Sequence, residues 1–329
     1  MPNIDRRTIL TLAAGAASAL ARPALAQAGY PNRPVTFVIP FAAGGPTDTV
    51  ARLTAEVMAR DLGQPVVVEN VGGAGGTLGA QRVAQARPDG HTLLLHHIGM
   101  GTTPALYRRL SYDPVNGFEP IGLITEVPMT IVTKRDFPAQ NLAELVRVLR
   151  ERKEGINLAN AGVGAASHLC GLLLQSAIQT QVTTVPYRGT GPAMTDLIGG
   201  AVDLMCDQTT NTTEQIRAGA IRAFAVTTRT RNAALPDLPT AAEAGLPGFE
   251  VSVWHGLYAP RNTSAEIVNR LSRALQFALR DERLVARFAE LGTAPVPQDQ
   301  ATPAFHRQYW QADIAKWRPI IQAAGQYAD

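Results

Sequence analysis

The sequence predicts an α/β fold made of two similar halves, each a mainly parallel sheet covered by helices. Three observations carry this. Short β-branched runs alternate with stretches of helical apolar spacing. Gly-rich turns stand where strands end and helices begin. The length of 329 residues suits about two domains of ~150 residues each.

In the first half, 35–39 is a β-branched run closed by Pro40, hence a strand. A Gly-rich turn over 41–46 follows. Val50, Leu53, Val57 and Met58 then share one face of a helix over 47–61. Residues 66–68 form the next strand, 70–79 a second Gly-rich turn, 78–86 a helix and 92–95 a third strand. The second half repeats the scheme. Strands are expected over 129–133, 156–160, 182–185, 202–206 and 220–227, with helices over 142–152, 167–178 and 192–198. A third Gly/Ala-rich turn covers 162–166. The end of the chain reads as a strand over 250–258 and helices over 265–280, 282–291 and 302–324.

Residues 1–26 have the pattern of a cleaved export signal. Arg6 and Arg7 lead an apolar run over 9–20, shorter than a membrane span, and Ala24-Leu25-Ala26 is a small-x-small cleavage site. The Arg pair admits either a twin-arginine or an ordinary secretory route. No later run reaches the ~18 apolar residues of a spanning helix. The expected compartment is a bacterial periplasm.

Composition removes several function classes. With 30 Lys+Arg against 27 Asp+Glu and a net charge of +3, the chain has no basic field for nucleic acid. Two Cys cannot form a disulfide scaffold. Cys170 and Cys206 stay open between a disulfide and two free thiols. His96 and His97 are neighbours on a strand, with side chains expected on opposite faces. No His or Cys spacing fits a metal site, so no metal or cofactor is expected. The turn Gly73-Ala74-Gly75-Gly76-Thr77-Leu78-Gly79 is GxGxxxG, and the strand after it ends in His96-His97 instead of an acid. A dinucleotide fingerprint is therefore not supported.

The three Gly-rich turns are the chemistry-bearing feature. In open parallel sheets, ligands bind beyond the carboxyl ends of the strands. Helix N-termini there offer free N–H groups and a partial positive charge, which suits an anion. Each N–H to a carboxylate adds about 1.5–3 kcal/mol. The plain alternative is that these are only tight βα turns. Ser167 and His168 adjoin, but no G-x-S-x-G elbow surrounds them, and adjacent helical residues do not face each other. Asp48 is either a capping residue in the first helical turn or an anchor for a ligand ammonium. Asp207, at a strand end, is a second candidate ammonium acceptor.

Pro40-Phe41-Ala42-Ala43-Gly44-Gly45-Pro46-Thr47-Asp48 resembles the P-F-x-x-G-G-x-x-D loop of the Bug receptors, the extracytoplasmic solute-binding proteins of tripartite tricarboxylate transporters. Val68-Glu69-Asn70-Val71-Gly72-Gly73-Ala74-Gly75-Gly76 is similar to their second loop, with Val71 where a basic residue is usual. Further stretches match in order: 88–93, 159–168, 185–189, 238–240 with 243–245, and 254–260. The phrases 165–171 and 204–210 are similar to aspartate-binding members. The resemblance covers essentially all of 27–329.

What it implies is a two-lobed periplasmic binding protein of type II-like plan, with a ligand cleft between the lobes. Lobe 1 would take 27–126 and 255–329, lobe 2 would take 127–254, and crossover strands would join them. The ligand site would comprise Phe41, Ala43, Asp48, Ala74, Gly75 and Thr77 on one side. Across the cleft it would comprise Gly164, Ala165, Ser167, His168, Tyr187, Gly189 and Asp207. The expected activity is capture of a small carboxylate, an acidic amino acid such as aspartate or a dicarboxylate, by hinge closure. The expected partner is a membrane permease, with the receptor a monomer and not an enzyme. A receptor for a membrane sensor kinase and an exported enzyme are the competing expectations.

Overall fold

The computed structural model describes residues 29–324 and Ala328; the expected export signal lies outside them. In chain order the elements begin β1 (Val35–Ile39), α1 (Pro46–Leu62), β2 (Val66–Asn70), α2 (Thr77–Ala84), β3 (Thr92–His97) and α3 (Gly99–Leu106). They continue with β4 (Phe118–Lys134), α4 (Leu142–Arg152), β5 (Asn157–Asn160), α5 (Ala166–Ala177), β6 (Thr183–Pro186), α6 (Thr190–Ile198), β7 (Leu204–Gln208), α7 (Thr209–Arg217) and β8 (Ile221–Val226). The last are β9 (Ser252–Pro260), α8 (Ala265–Ala278), α9 (Glu282–Glu290) and α10 (Pro303–Ala324).

The expected α/β class is what the chain adopts. The strands run in the order β2-β1-β3-β9-β4-β7-β5-β6, with β8 also on β4. β1 pairs in parallel with β2 and β3, and β5 pairs in parallel with β6 and β7. β9 and β4 are antiparallel to their neighbours. β4 is the joint. Phe118 to Pro128 pair with β9, while Met129 to Lys134 pair with β7 and β8. The two parallel sheets therefore share one strand that changes partners midway.

The expected strand over 129–133 is only the far end of this 17-residue β4. Its nearer part escapes sequence reading because Pro120, Gly122 and Pro128 punctuate it. The ladder absorbs them by register shifts at 120/122 and 123/125. Two helices were also not expected. α3 carries Pro104 inside it. α7 opens Thr-Thr-Asn-Thr-Thr, a β-branched run that is a poor helix former by itself. Tertiary bonds decide in its favour. Thr209 donates to the Gly292 carbonyl at 3.1 Å, Thr213 to that of Leu291 at 3.3 Å, and the Thr212 and Thr130 hydroxyls meet at 2.9 Å.

α1 shows how local rules and packing agree. Gly45 caps it, Pro46 opens it, and Gly63 ends it in the left-handed region at φ 67°. Its buried face, Val50, Val57 and Met58, joins Phe37, Ile39, Leu93 and Leu95 in one core. Each such side chain contributes about 1.5–3 kcal/mol on burial. A second core is continuous from Val38 and Leu94 of the first sheet to Leu145, Leu169 and Phe224 beside the second.

The Gly-rich turns of the two sheets touch. The Ala42 N–H donates to the Arg188 carbonyl at 2.9 Å. The Tyr107 hydroxyl lies 2.8 Å from the Ala74 carbonyl and 2.9 Å from that of Val163. Gly75 sits between them at φ +61°, and a Cβ there would lie 1.9 Å from the Val163 oxygen. Only a bare backbone in that conformation permits the approach. We predict that Gly75→Ala forces the turns at 72–76 and 162–164 apart. Small-angle scattering should then report a larger radius of gyration than for the wild type, with far-ultraviolet circular dichroism unchanged.

Candidate functional site

Where the turns meet, four helices point their N-termini at one small cavity. It is lined by Gly45, Pro46 and Thr47 of α1, Ala166 and Ser167 of α5, Thr190 of α6, and Asp207 and Gln208 at the start of α7. Phe41, His97 and Ala161 complete the wall. The cavity has a volume of about 10 Å³, roughly what one water needs. Anything larger than a water molecule therefore requires the walls to part. Helix N-termini carry unpaired N–H groups and partial positive charge, so their convergence favours an anion.

The side chains add neutral donors and one acid. Neither Lys nor Arg lines the cavity. The Ser167 oxygen accepts the Ala161 N–H at 2.8 Å, which leaves its own proton to donate. The His97 Nδ1 accepts the Gly99 N–H at 2.9 Å. Burial holds this imidazole neutral by lowering it to about 3, so its ring proton is on Nε2, a donor. The Thr47 hydroxyl meets the His255 Nε2 at 3.3 Å. Gln208 is 2 % exposed, and its Oε1 has no partner among the described residues.

Asp207 is the exceptional group. It is 1 % exposed. Its carboxylate accepts from the Gln208 N–H at 2.9 Å and from the Asn211 amide at 2.5 Å, and Thr190 also bonds to it. No cation pairs with it among the described residues. Burial pushes its carboxyl up to about 6, against the pull of those hydrogen bonds. At neutral pH it is thus a buried, mostly ionised acid without a counter-ion.

Of the thirteen expected site residues, three line the cavity: Phe41, Ser167 and Asp207. Ala165 packs behind it against Phe41 and Ala161. Ala74, Gly75, Gly164 and Gly189 form the contacting turns. The Gly164 carbonyl lies 3.3 Å from the Thr102 hydroxyl. Thr77 turns its hydroxyl back onto the Ala74 carbonyl at 2.9 Å. Ala43 is exposed beside Gly191, outside the cavity. The Tyr187 hydroxyl is held by Asp196 at 2.6 Å. The His168 Nδ1 takes the Gly164 N–H at 3.3 Å, and its ring borders a different, outer pocket.

Asp48 is buried but saturated. It accepts from Arg52 at 2.9 and 3.0 Å, from the Gly44 N–H at 3.0 Å and from Asn70 at 2.9 Å. Burial raises its carboxyl, and these bonds outweigh that and hold it below the usual range. It fixes the first Gly-rich turn to α1 and β2. Arg188 is exposed and reaches the seam through its carbonyl alone. Cys170 and Cys206 are two free, buried thiols.

Four polar lining side chains were not among the expected residues: Thr47, His97, Thr190 and Gln208. Thr47, Thr190 and Gln208 stand at the first positions or caps of helices, and Gln208 was hidden because α7 itself was. His97 was read with His96 as pointing to opposite faces. Instead the two rings lie 4.8 Å apart and both touch Phe41. The strand ends at His97 and the chain turns into α3, so the strict alternation no longer applies there.

The pH dependence follows from Asp207. Its native carboxyl titrates near 6, against about 3.9 unfolded. Between those values the native state holds the extra proton, so stability falls as pH rises through this window. We predict that Asp207→Asn stabilises the ligand-free protein at pH 7.5 by about 1–3 kcal/mol, with the difference vanishing near pH 4. Thermal melts at the two pH values check this.

Residues 50–326 match the family described as tripartite tricarboxylate transporter family receptor. A protein of the TAR-I ttuE–ttuC′ intergenic region of Agrobacterium vitis is 54% identical over 302 residues, 92% of this chain and 87% of that one. The periplasmic binding protein BugD superposes with a TM-score of 0.89 at 49% identity, covering 91% of this chain and 100% of that one. MatC from Rhodopseudomonas palustris, solved with bound malate, gives 0.86 at 43% identity and covers 89% and 100%. An R. palustris protein solved with adipate gives 0.85 at 34% identity and covers 90% and 98%.

Proposed function

The chain belongs to the tripartite tricarboxylate transporter receptor family, and from that premise we propose that it captures an acidic amino acid, aspartate first, by closing two lobes over it and passes it to a permease. The carrying observation is Asp207, a buried acid without a counter-ion at the meeting point of four helix N-termini. The helix ends and the Ser167 and His97 donors suit ligand carboxylates. Asp207 and the unpartnered Gln208 oxygen suit an ammonium. A dicarboxylate would leave Asp207 facing a like charge.

In this reading the lobes are 27–126 with 255–329, and 127–254, hinged where β4 changes partners. The ligand touches both lobes only when they are shut, so it shifts the population toward the closed form. The leader-like 1–26 and the periplasmic neighbours support action in the periplasm. Among the described residues no helix is long and apolar enough to cross a membrane. Turnover is not expected. The Ser167 oxygen faces the Ala161 N–H, and His168 borders an outer pocket, so the pair lacks the geometry of nucleophile and base.

The test is calorimetric titration of the wild type and Asp207→Asn with L-aspartate and with malate. Aspartate should bind the wild type more tightly than malate at pH 7.5 and weaken as the pH falls to 5.5. Asp207→Asn should lose about 10- to 150-fold for aspartate, the worth of one charge-assisted bond, and none for malate. Tighter malate than aspartate in the wild type would discard the amino-acid assignment. Absence of binding by any small carboxylate would discard the ligand class.

A further inference from the structure

A second pocket lies on the outer face, at the far end of the helix that begins in the ligand cavity. Its volume is about 680 Å³, and it is lined by the C-terminal end of α7, β8 and the segment 234–238. Arg135, Arg217 and Arg222 face it against a single acid, Asp237. Among the described residues none of the three arginines pairs with a carboxylate. Arg217 instead donates to the main chain, to the Glu290 carbonyl at 3.1 Å and the Ala234 carbonyl at 2.9 Å. Arg222 donates to the carbonyls of Phe137 and Ala139. These carbonyls fix the guanidinium planes without neutralising them. Leu235 and Leu238 give the pocket an apolar wall.

Two features tie this pocket to the state of the cleft. α7 runs from Gln208, its cap in the cavity wall, to Arg217 in the pocket wall, a rigid rod of about 13 Å. Arg217 also spans the two sheets. Glu290 ends α9, whose Leu284 and Phe288 belong to the core of the first sheet, whereas Ala234 follows β8 of the second. A shift between the lobes therefore changes the geometry of this guanidinium.

We propose that this arginine pocket is the docking site for an acidic, partly apolar segment of the permease, through which the permease reads the closed receptor. The inference rests on the transport reading above. Charge complementarity selects the partner's sign. Exposure selects its size: Arg135 and Arg217 are exposed, so a small anion there stays hydrated and screened. A protein segment also covers the Leu235–Leu238 wall and excludes that water.

The experiment uses cells of the source organism deleted for this gene and complemented with the wild type, Arg135→Glu or Arg217→Gln. Uptake of radiolabelled aspartate is read, with calorimetry on each purified receptor. We expect the wild type to restore uptake and each variant to restore at least fivefold less, with the aspartate Kd of Arg135→Glu within twofold of wild type. Asp237→Asn, which removes the opposing acid, should retain full uptake. Equal uptake by wild type and both arginine variants overturns the inference and leaves the transport reading standing. Arginine-dependent binding of citrate to the purified receptor, with uptake unchanged in the variants, overturns it in favour of a small-anion site. Failure of the wild type itself to restore uptake removes the transport reading, and the docking inference falls with it.

Discussion

Everything at the seam depends on one strand serving two sheets. β4 pairs with β9 up to Pro128 and with β7 and β8 from Met129 onward. A ladder hydrogen bond is worth only about 0.5–1.5 kcal/mol net, but the register it enforces is strict. Thr130 stands opposite Asp207 in that register and donates to the Asp207 carbonyl at 3.0 Å. The partner change thus sets where β7 ends, where α7 begins and where the buried carboxylate points. The same strand carries Thr125, whose hydroxyl reaches the Ala294 carbonyl at 2.6 Å, so the segment after α9 takes its position from it too.

In the proposed receptor the cavity has to select its ligand without fixed cations. An arginine clamp would grip any carboxylate strongly and release it slowly. Helix N-termini and neutral donors grip more weakly, and their strength depends on both walls being present at once. In the proposed receptor that condition couples affinity to closure. The close approach of the walls has its own requirement, met by glycine at 75 and 189, where Cβ atoms would strike Val163 and Ala42. Buried neutral histidines fit the same logic. Burial holds His96, His97 and His255 well below their usual range, so none brings a charge that would need a counter-ion, and His97 adds a neutral donor to the wall.

Much of the fold was legible because strand and helix periods, Gly-rich turns and caps agreed. α1 is the clearest case, from Pro46 to Gly63. What was illegible lay where tertiary bonds overrule local preference. The threonines of α7 find buried partners, and the first part of β4 tolerates Pro120 and Pro128 by shifting register. At the candidate site the turns were visible as glycine clusters, and Asp207 was visible as a strand-end acid. Thr190 and Gln208 were not, since their importance comes from being the first residues of helices whose starts the sequence marks poorly. Asp48 illustrates the reverse error of emphasis. An acid beside a Gly-rich turn invites a ligand role, yet Arg52, Asn70 and Gly44 occupy it fully.

The neutrality of the wall bears on what one carboxylate can decide. Where fixed cations dominate a site, an added acid only trims affinity. Among the described residues the only full charge facing the cavity is Asp207, so its sign outweighs any single partial charge around it. A ligand ammonium supplies the missing counter-ion to a group whose burial is already costly, whereas a second ligand carboxylate at the same point adds repulsion in a poorly screened space. The main-chain donors treat the remaining carboxylates alike. In the proposed receptor the Gly-rich turns and helix ends set the chemical class of the ligand, and Asp207, one residue before the end of β7, sets its charge pattern.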